Sequence, residues 1–287
     1  MYTLPYSWKK KFINLRRVFD NMSIYPYRFV TSHKRCIPSF LIVGAQKSGT
    51  SSLFSYLSAH PSIVPPIKKE IHFFDWYSKF IKGESFYRAH FPLRNCRNES
   101  FLSFESTPYY MYHPLSAKRI SSFFDKIKLI FLLRDPTDRA ISHYWHEANY
   151  VGSEPLSMKE AFGIEYQRLR SEESKIKSDP TYYSYEHQRH SYLDRGLYYE
   201  QIKSFADHFD RQNLCFIKSA DLFSSPYKAL SKIYKFLSIE NTPPDSLSVH
   251  NEGDYSSNAS TRIRSLLDRF YFYPNIRLKS YVGVDFT

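Results

Sequence analysis

The chain is short of cysteine, of acid and of long apolar runs, and each shortage narrows what it can be. Only three cysteines occur in 287 residues, Cys36, Cys96 and Cys215. An odd, widely spaced set cannot build a disulfide framework, and none stands in a Cys-x-x-Cys or Cys/His pattern, so no metal is expected and a reducing compartment is favoured. No run of about eighteen apolar residues occurs, and the first residues lack the apolar core of a secretory signal, so the expected location is cytoplasmic. The sequons at Asn21, Asn98 and Asn258 are then incidental. Acids number 28 against 40 lysines and arginines, and the formal net charge of +12 asks for an anionic partner. The basic residues are spread along the chain without a recognised nucleic-acid motif, so DNA and RNA are not expected as partners.

What is present is a core: 42% of the residues are hydrophobic and 18% aromatic, enough to fill one α/β domain of ordinary size. Apolar runs near Phe40, Ile130 and Leu214 predict buried strands. Helical patterns follow the first two and surround the third, with a helix over residues 226–237. The fold expected is a single α/β domain of P-loop type, its central parallel sheet flanked by helices. Farther along, residues 156–173 read as a mostly polar helix and 174–180 as a charged break ending in proline. In such sheets ligands gather beyond the carboxyl ends of the strands.

The first strand runs Phe40-Leu41-Ile42-Val43 into Gly44-Ala45-Gln46-Lys47-Ser48-Gly49-Thr50-Ser51-Ser52. A glycine-bracketed turn feeding a helix presents unpaired N–H groups and the positive end of the helix dipole to an anion. The glycine spacing is that of a Walker A loop, but Thr50 stands where the lysine belongs and Lys47 lies inside the loop. A nucleotide triphosphatase would place lysine and hydroxyl for a magnesium-bound triphosphate, so a different anion without obligatory metal is expected.

This loop resembles the 5′-phosphosulfate loop of sulfotransferases that use PAPS, 3′-phosphoadenosine 5′-phosphosulfate. The resemblance implies that Lys47, Ser48, Gly49, Thr50, Ser51 and Ser52 hold the donor's 5′-phosphate. A second motif follows at Lys128-Leu129-Ile130-Phe131-Leu132-Leu133-Arg134-Asp135-Pro136, where proline can open a helix without needing its N–H. Here the family implies Arg134 and Ser142 as ligands of the 3′-phosphate, a job suited to a guanidinium fork. Arg139 and Ser142 are three apart on one helical face, so either arginine could reach the same anion.

Between the motifs lies Lys68-Lys69-Glu70-Ile71-His72-Phe73-Phe74-Asp75-Trp76. Sulfuryl transfer needs a base for the acceptor proton and a cation for the leaving phosphate oxygen, roles that Glu70 and Lys47 fit. The segment resembles the Glu-x-His-Phe-Phe-Asp motif of heparan sulfate sulfotransferases, which implies Glu70 as base with His72 and Asp75 lining the acceptor cleft. The alternative is that Phe73 and Phe74 are core, with Glu70 and His72 on a solvated face. Glu105-Ser106-Thr107-Pro108-Tyr109-Tyr110 matches another cleft segment, although Ser106 replaces the lysine typical of glucosaminyl sulfotransferases. Their Lys-Gly-Arg loop is not visible near residues 251–264.

Ser191-Tyr192-Leu193-Asp194-Arg195-Gly196-Leu197-Tyr198 resembles an Arg-Gly-x-Tyr stretch of bacterial sulfotransferases that lies near the acceptor. Tyr198 is accordingly a candidate substrate contact, with core packing equally open, while Asp194 and Arg195 read as the start of a solvated helix. The resemblance covers residues 39–287. Residues 1–38 form an extension in which Trp8, Phe12, Leu15 and Phe19 share a helical face among basic residues, so residues 8–19 could touch an anionic membrane. The function implied is transfer of a sulfuryl group from PAPS to a carbohydrate-like hydroxyl or amine, releasing PAP. Two rivals are a P-loop kinase of small molecules and a non-catalytic binder of nucleotides or anionic glycans.

Overall fold

The computed structural model describes residues 25–94, 101–244, 247 and 259–287. Strand β1, Phe40–Gly44, is buried along its whole length. Successive side chains of a strand point to opposite faces. Leu41 and Val43 accordingly enter one apolar layer, Phe40 and Ile42 the other. The remaining strands are β2 (Ile63–Val64), β3 (Leu102–Ser106), β4 (Lys128–Leu133) and β5 (Leu214–Lys218). Their order is β2-β3-β1-β4-β5 and every pairing is parallel.

The expected sheet is therefore present, with two strands more than the apolar runs announced. Strand β2 has two residues and β3 reads Leu-Ser-Phe-Glu-Ser, so neither gives the continuous apolar signal of a strand buried on both faces. From β1 the chain goes to β3 on one side and later to β4 on the other. The crevice of a parallel sheet opens at that change of direction, beyond the ends of β1 and β4.

Helix α1 (Thr50–Ser58) follows β1, and α2 (Pro136–Trp145) follows β4. Asp135 caps α2, its Oδ1 accepting from the Asp138 amide at 3.0 Å. Residues 156–180 depart from expectation. The polar helix is split into Met158–Leu169 and Glu172–Ser178, with Ser171 in a left-handed turn between them, so the charged stretch read as a break is largely helical. Helix α3 (Pro226–Leu237) has the bounds read from sequence and packs Leu230, Ile233 and Leu237 under the sheet.

The last helix, α4 (Thr261–Val282), takes up the end of the basic stretch. It is pinned to the start of α2 by Thr137 donating to Asp268 at 2.7 Å and by an Arg264–Asp138 ion pair at 2.9 Å. Residues 251–258, Cys96 and the amphipathic segment 8–19 lie outside the described residues. The described part of the N-terminal extension is laced to the domain. Arg28 donates to the carbonyls of Ala89 and Phe91 at 2.5 and 2.6 Å, and Arg35 to that of Phe91 at 3.0 Å. Among the described residues no helix is long and apolar enough to cross a membrane.

Candidate functional site

The turn after β1 is fixed from three sides. Gly49 has φ +94°, a conformation that L side chains rarely adopt, and a Cβ there would stand 2.7 Å from the Phe223 ring. At Gly44 a Cβ would lie 2.5 Å from that of Met111. The Ala45 amide donates to the Leu132 carbonyl at 2.7 Å, and Ser219 Oγ to the Ser48 carbonyl at 2.7 Å. Lys47 itself is left-handed at φ +66°. The side chains of Ser48, Thr50 and Ser52 are buried, so what these positions offer an anion is the backbone N–H of the first turn of α1. Burial pushes the Lys47 pKa down, and the nearby Arg134 adds to that shift while Glu147 opposes it. An ammonium so placed is stabilised by an incoming anion.

Arg134 leaves the end of β4 and donates from Nη1 to the Lys47 carbonyl at 3.2 Å, which joins the two motifs directly. Ser142 stands on the buried side of α2. Arg139 is fully enclosed and donates to the Tyr192 carbonyl, whereas Arg134 is only half-buried.

The third segment carries two further left-handed residues, Glu70 and His72, both at φ +58°. Among the described residues five non-glycine positions have positive φ, and the three sequence candidates for catalysis, Lys47, Glu70 and His72, are all among them. Such conformations cost roughly 1–3 kcal/mol each and persist where the surroundings enforce them. Here the enforcement is a network centred on buried Glu105. Its carboxylate accepts from Tyr110 Oη at 2.6 Å, from Thr107 Oγ1 at 2.7 Å and from Tyr87 Oη. Tyr110 Oη in turn accepts from the Phe73 amide at 2.8 Å, Thr107 Oγ1 from the His72 amide at 3.4 Å, and the Ser106 carbonyl from the Glu70 amide at 3.1 Å. Phe73 and Phe74 are core, as the alternative reading had it, and they anchor the loop that carries Glu70 and His72 outward. The side chain of Glu70 is 44% exposed and that of His72 16%.

Around Glu70 the charges are ordered. Lys69 Nζ lies 3.3 Å from Glu70 Oε1 and donates to Ser51 Oγ at 2.7 Å, tying this loop to the start of α1. His72 Nε2 lies 3.8 Å from Glu70 Oε2, and Nδ1 is 2.5 Å from Asp75 Oδ2. The imidazole also stacks on Trp76 at 4.8 Å. Burial pushes the Glu70 carboxyl up, but His72 and Lys69 outweigh it and hold the group at about 2. Burial pushes His72 down, and Asp75 with Glu70 outweighs it, to about 9. At neutral pH the pair is a carboxylate beside an imidazolium.

Two expected substrate contacts are turned away from solvent. Asp75 is buried and faces His72, where it orients the imidazole. Tyr198 is 1% exposed and donates to the Arg134 carbonyl at 3.0 Å, which makes it a brace behind the donor motif. Two residues escaped the sequence reading. Arg195, expected on a solvated helix, is enclosed beside Gln46 of the loop. His146 opens a π-helical turn, His146–Val151, a feature frequent at functional sites. Burial, Lys47 and Arg189 lower its pKa to about 4 against the pull of Glu70, leaving a neutral imidazole among these charges. The π-turn gives no signal in sequence.

Residues 38–264 match the sulfotransferase domain family. The chain is 29% identical over 220 residues to a bifunctional heparan sulfate N-deacetylase/N-sulfotransferase 1 of Caenorhabditis briggsae, covering 73% of this chain and 24% of that protein. It is 26% identical over 316 residues to the membrane-associated sulfotransferase kil1 of Dictyostelium discoideum, covering 88% of this chain and 66% of that one. It thus spans about a quarter of the first relative's length and just under two thirds of the second's. A crystal structure of a sulfotransferase from Alicyclobacillus acidocaldarius superposes with a TM-score of 0.67 at 28% identity, over 87% of this chain and 97% of the other. With this match running through the loop after β1, the turn after β4 and the Glu70 segment, the chain belongs to the sulfotransferase domain family.

Proposed function

We propose that residues 39–287 transfer a sulfuryl group from PAPS to a hydroxyl or amine of a carbohydrate-like acceptor and release PAP. The observation that carries this reading is the meeting of three strained or constrained segments at the ends of β1, β3 and β4, with Arg134 bonded to the Lys47 backbone and Lys69 joining Glu70 to Ser51. The donor set fits a bisphosphorylated nucleotide. The N–H groups at the start of α1 and the Lys47 ammonium suit a 5′-phosphate, and Arg134 with Ser142 suits a 3′-phosphate.

In this reading Lys47 neutralises charge on the phosphate oxygen as the bond from that oxygen to sulfur breaks. The acceptor oxygen or nitrogen forms the new bond to sulfur, and its proton passes to Glu70. A carboxylate held at about 2 is ionised throughout the neutral range. It takes the proton only as bonding to sulfur acidifies the acceptor. His72, oriented by Asp75, holds Glu70 in place. The names of the relatives, heparan sulfate enzymes among them, support a carbohydrate acceptor.

Calorimetry with PAP, AMP and ATP tests the donor. PAP should bind without magnesium, and AMP should bind worse by roughly 2 kcal/mol, the scale of a lost charge-assisted contact. Arg134→Ala should erase most of that difference. Equal affinities for PAP and AMP in the unmodified protein would sink the assignment.

A further inference from the structure

Arg195 is 2% exposed, and among the described residues its hydrogen-bond and ring partners are neutral. It donates from Nη1 to the Gln46 side chain and from Nη2 to the carbonyls of His187 and Gln188 at 3.0 and 2.9 Å. The guanidinium lies 5.0 Å from the Tyr109 ring centre and 4.7 Å from that of Tyr112. Burial lowers its pKa to about 10, so it remains charged at neutral pH. Enclosing a cation with no carboxylate bonded to it is costly, and the cation–π contacts and the more distant Glu147 offset only part of the cost, which Arg139 adds to. For packing alone an apolar chain of this length would serve better.

What the guanidinium adds is a link between segments far apart in sequence. Gln46 immediately precedes left-handed Lys47. Tyr109 and Tyr112 follow β3, and His187 lies in the short helix Tyr185–Arg189. That wall is itself rigid: Tyr109 Oη is 2.8 Å from His187 Nδ1, Tyr112 stacks on the His187 ring at 4.2 Å, and Tyr112 Oη donates to Asp194 at 2.6 Å. We propose that Arg195 is a positioning residue for the donor loop: by holding the Gln46 side chain against this wall, it fixes the turn that aims Lys47 at the donor's 5′-phosphate. The inference rests on reading the loop as the site of that phosphate.

The test uses the full chain with PAP as ligand, comparing Gln46→Ala, Arg195→Lys and the double variant by calorimetry and by phosphorus NMR of bound PAP. Lysine keeps the charge but cannot fork to Gln46 and two carbonyls together. Each single variant should weaken PAP about tenfold, the scale of one lost buried hydrogen bond to a charged group. The double variant should be no weaker than the worse single one. The 5′-phosphate resonance should move while the 3′-phosphate resonance stays, since only the loop is released. Unchanged affinity in the single variants, additive losses, or equal movement of both resonances would assign Arg195 to general structure and overturn the proposal. Should Arg195→Lys fail to fold, the resonance pattern of Gln46→Ala decides in the same way. Failure of the unmodified protein to bind PAP would overturn the donor reading itself.

Discussion

His72 and Glu70 hold each other in opposite charge states, and that pairing can be read by titration. With its folded pKa raised to about 9 from an ordinary 6.5, His72 contributes stability that is fully present below about pH 6.5 and lost as pH rises through about 9. Glu70, depressed to about 2, contributes in the other sense: its share is present above about 4.5 and lost as pH falls toward 2. Nuclear magnetic resonance should find the His72 ring protonated at pH 8, and Asp75→Asn should bring its midpoint down by more than one unit. A midpoint near 6.5 in the unmodified protein would remove the imidazolium from the site. Catalysis separates the two residues. Glu70→Gln should leave PAP affinity nearly unchanged and lower turnover by roughly 10² to 10⁴, the usual contribution of a positioned base. His72→Ala should cost less, because it orients rather than accepts. Should Glu70→Gln keep its turnover while His72→Ala loses it, the base has been misassigned. The residues legible in sequence, Lys47, Arg134 and Glu70, sit inside short local motifs. The enclosure of Arg195 and the π-turn at His146 were not, because both depend on which distant segments fold against them.

The elements themselves were legible in proportion to how local their causes are. Strands β1 and β4 and helix α3 announce themselves by apolar period and by a proline at the first turn. Strand β3 does not, since its polar Glu105 is buried against the hydroxyls of Thr107 and Tyr110 just downstream and of Tyr87 in an earlier helix, a pairing that its apolar pattern does not announce. The charged stretch at 172–178 is helical with Lys175–Glu172 and Lys177–Glu173 ion pairs along it, and Glu172 also accepts from Tyr182 and Ser184 beyond its end, so the charges read as a break instead stabilise the turn. The loop after β1 offers the clearest test at this scale. Gly49→Ala must place a side chain at φ +94° and against Phe223. Urea unfolding should show a loss of about 1–3 kcal/mol, with PAP binding weakened further because the first turn of α1 is displaced. A variant as stable as the parent would mean that the turn relaxes freely and that the loop is no preformed cradle.

At the scale of the molecule, the donor reading makes the two sides of the sheet's switch point into one binding unit. The apolar layers above and below β1 are continuous through β4, so the loop at 45–49 and the turn at 134–136 rest on the same floor. Arg134 bonds the turn to the Lys47 carbonyl of the loop, and Lys69 bonds the Glu70 segment to Ser51 at the start of α1. A ligand that bridges both motifs should therefore stabilise them together, and one that fills only the first should not. Binding to the folded state alone adds about 2.7 kcal/mol of stability at a hundredfold excess over Kd. Hydrogen exchange should show PAP slowing amides at 46–53 and at 134–142 in parallel, while β5 and α3, outside the crevice, gain only what the global stabilisation gives. AMP should protect 46–53 and leave 134–142 close to its free rate, since it lacks the group assigned to Arg134 and Ser142. If AMP protects both segments as PAP does, the 3′-phosphate has been placed at the wrong end of the sheet; if PAP protects β5 first, the crevice is elsewhere.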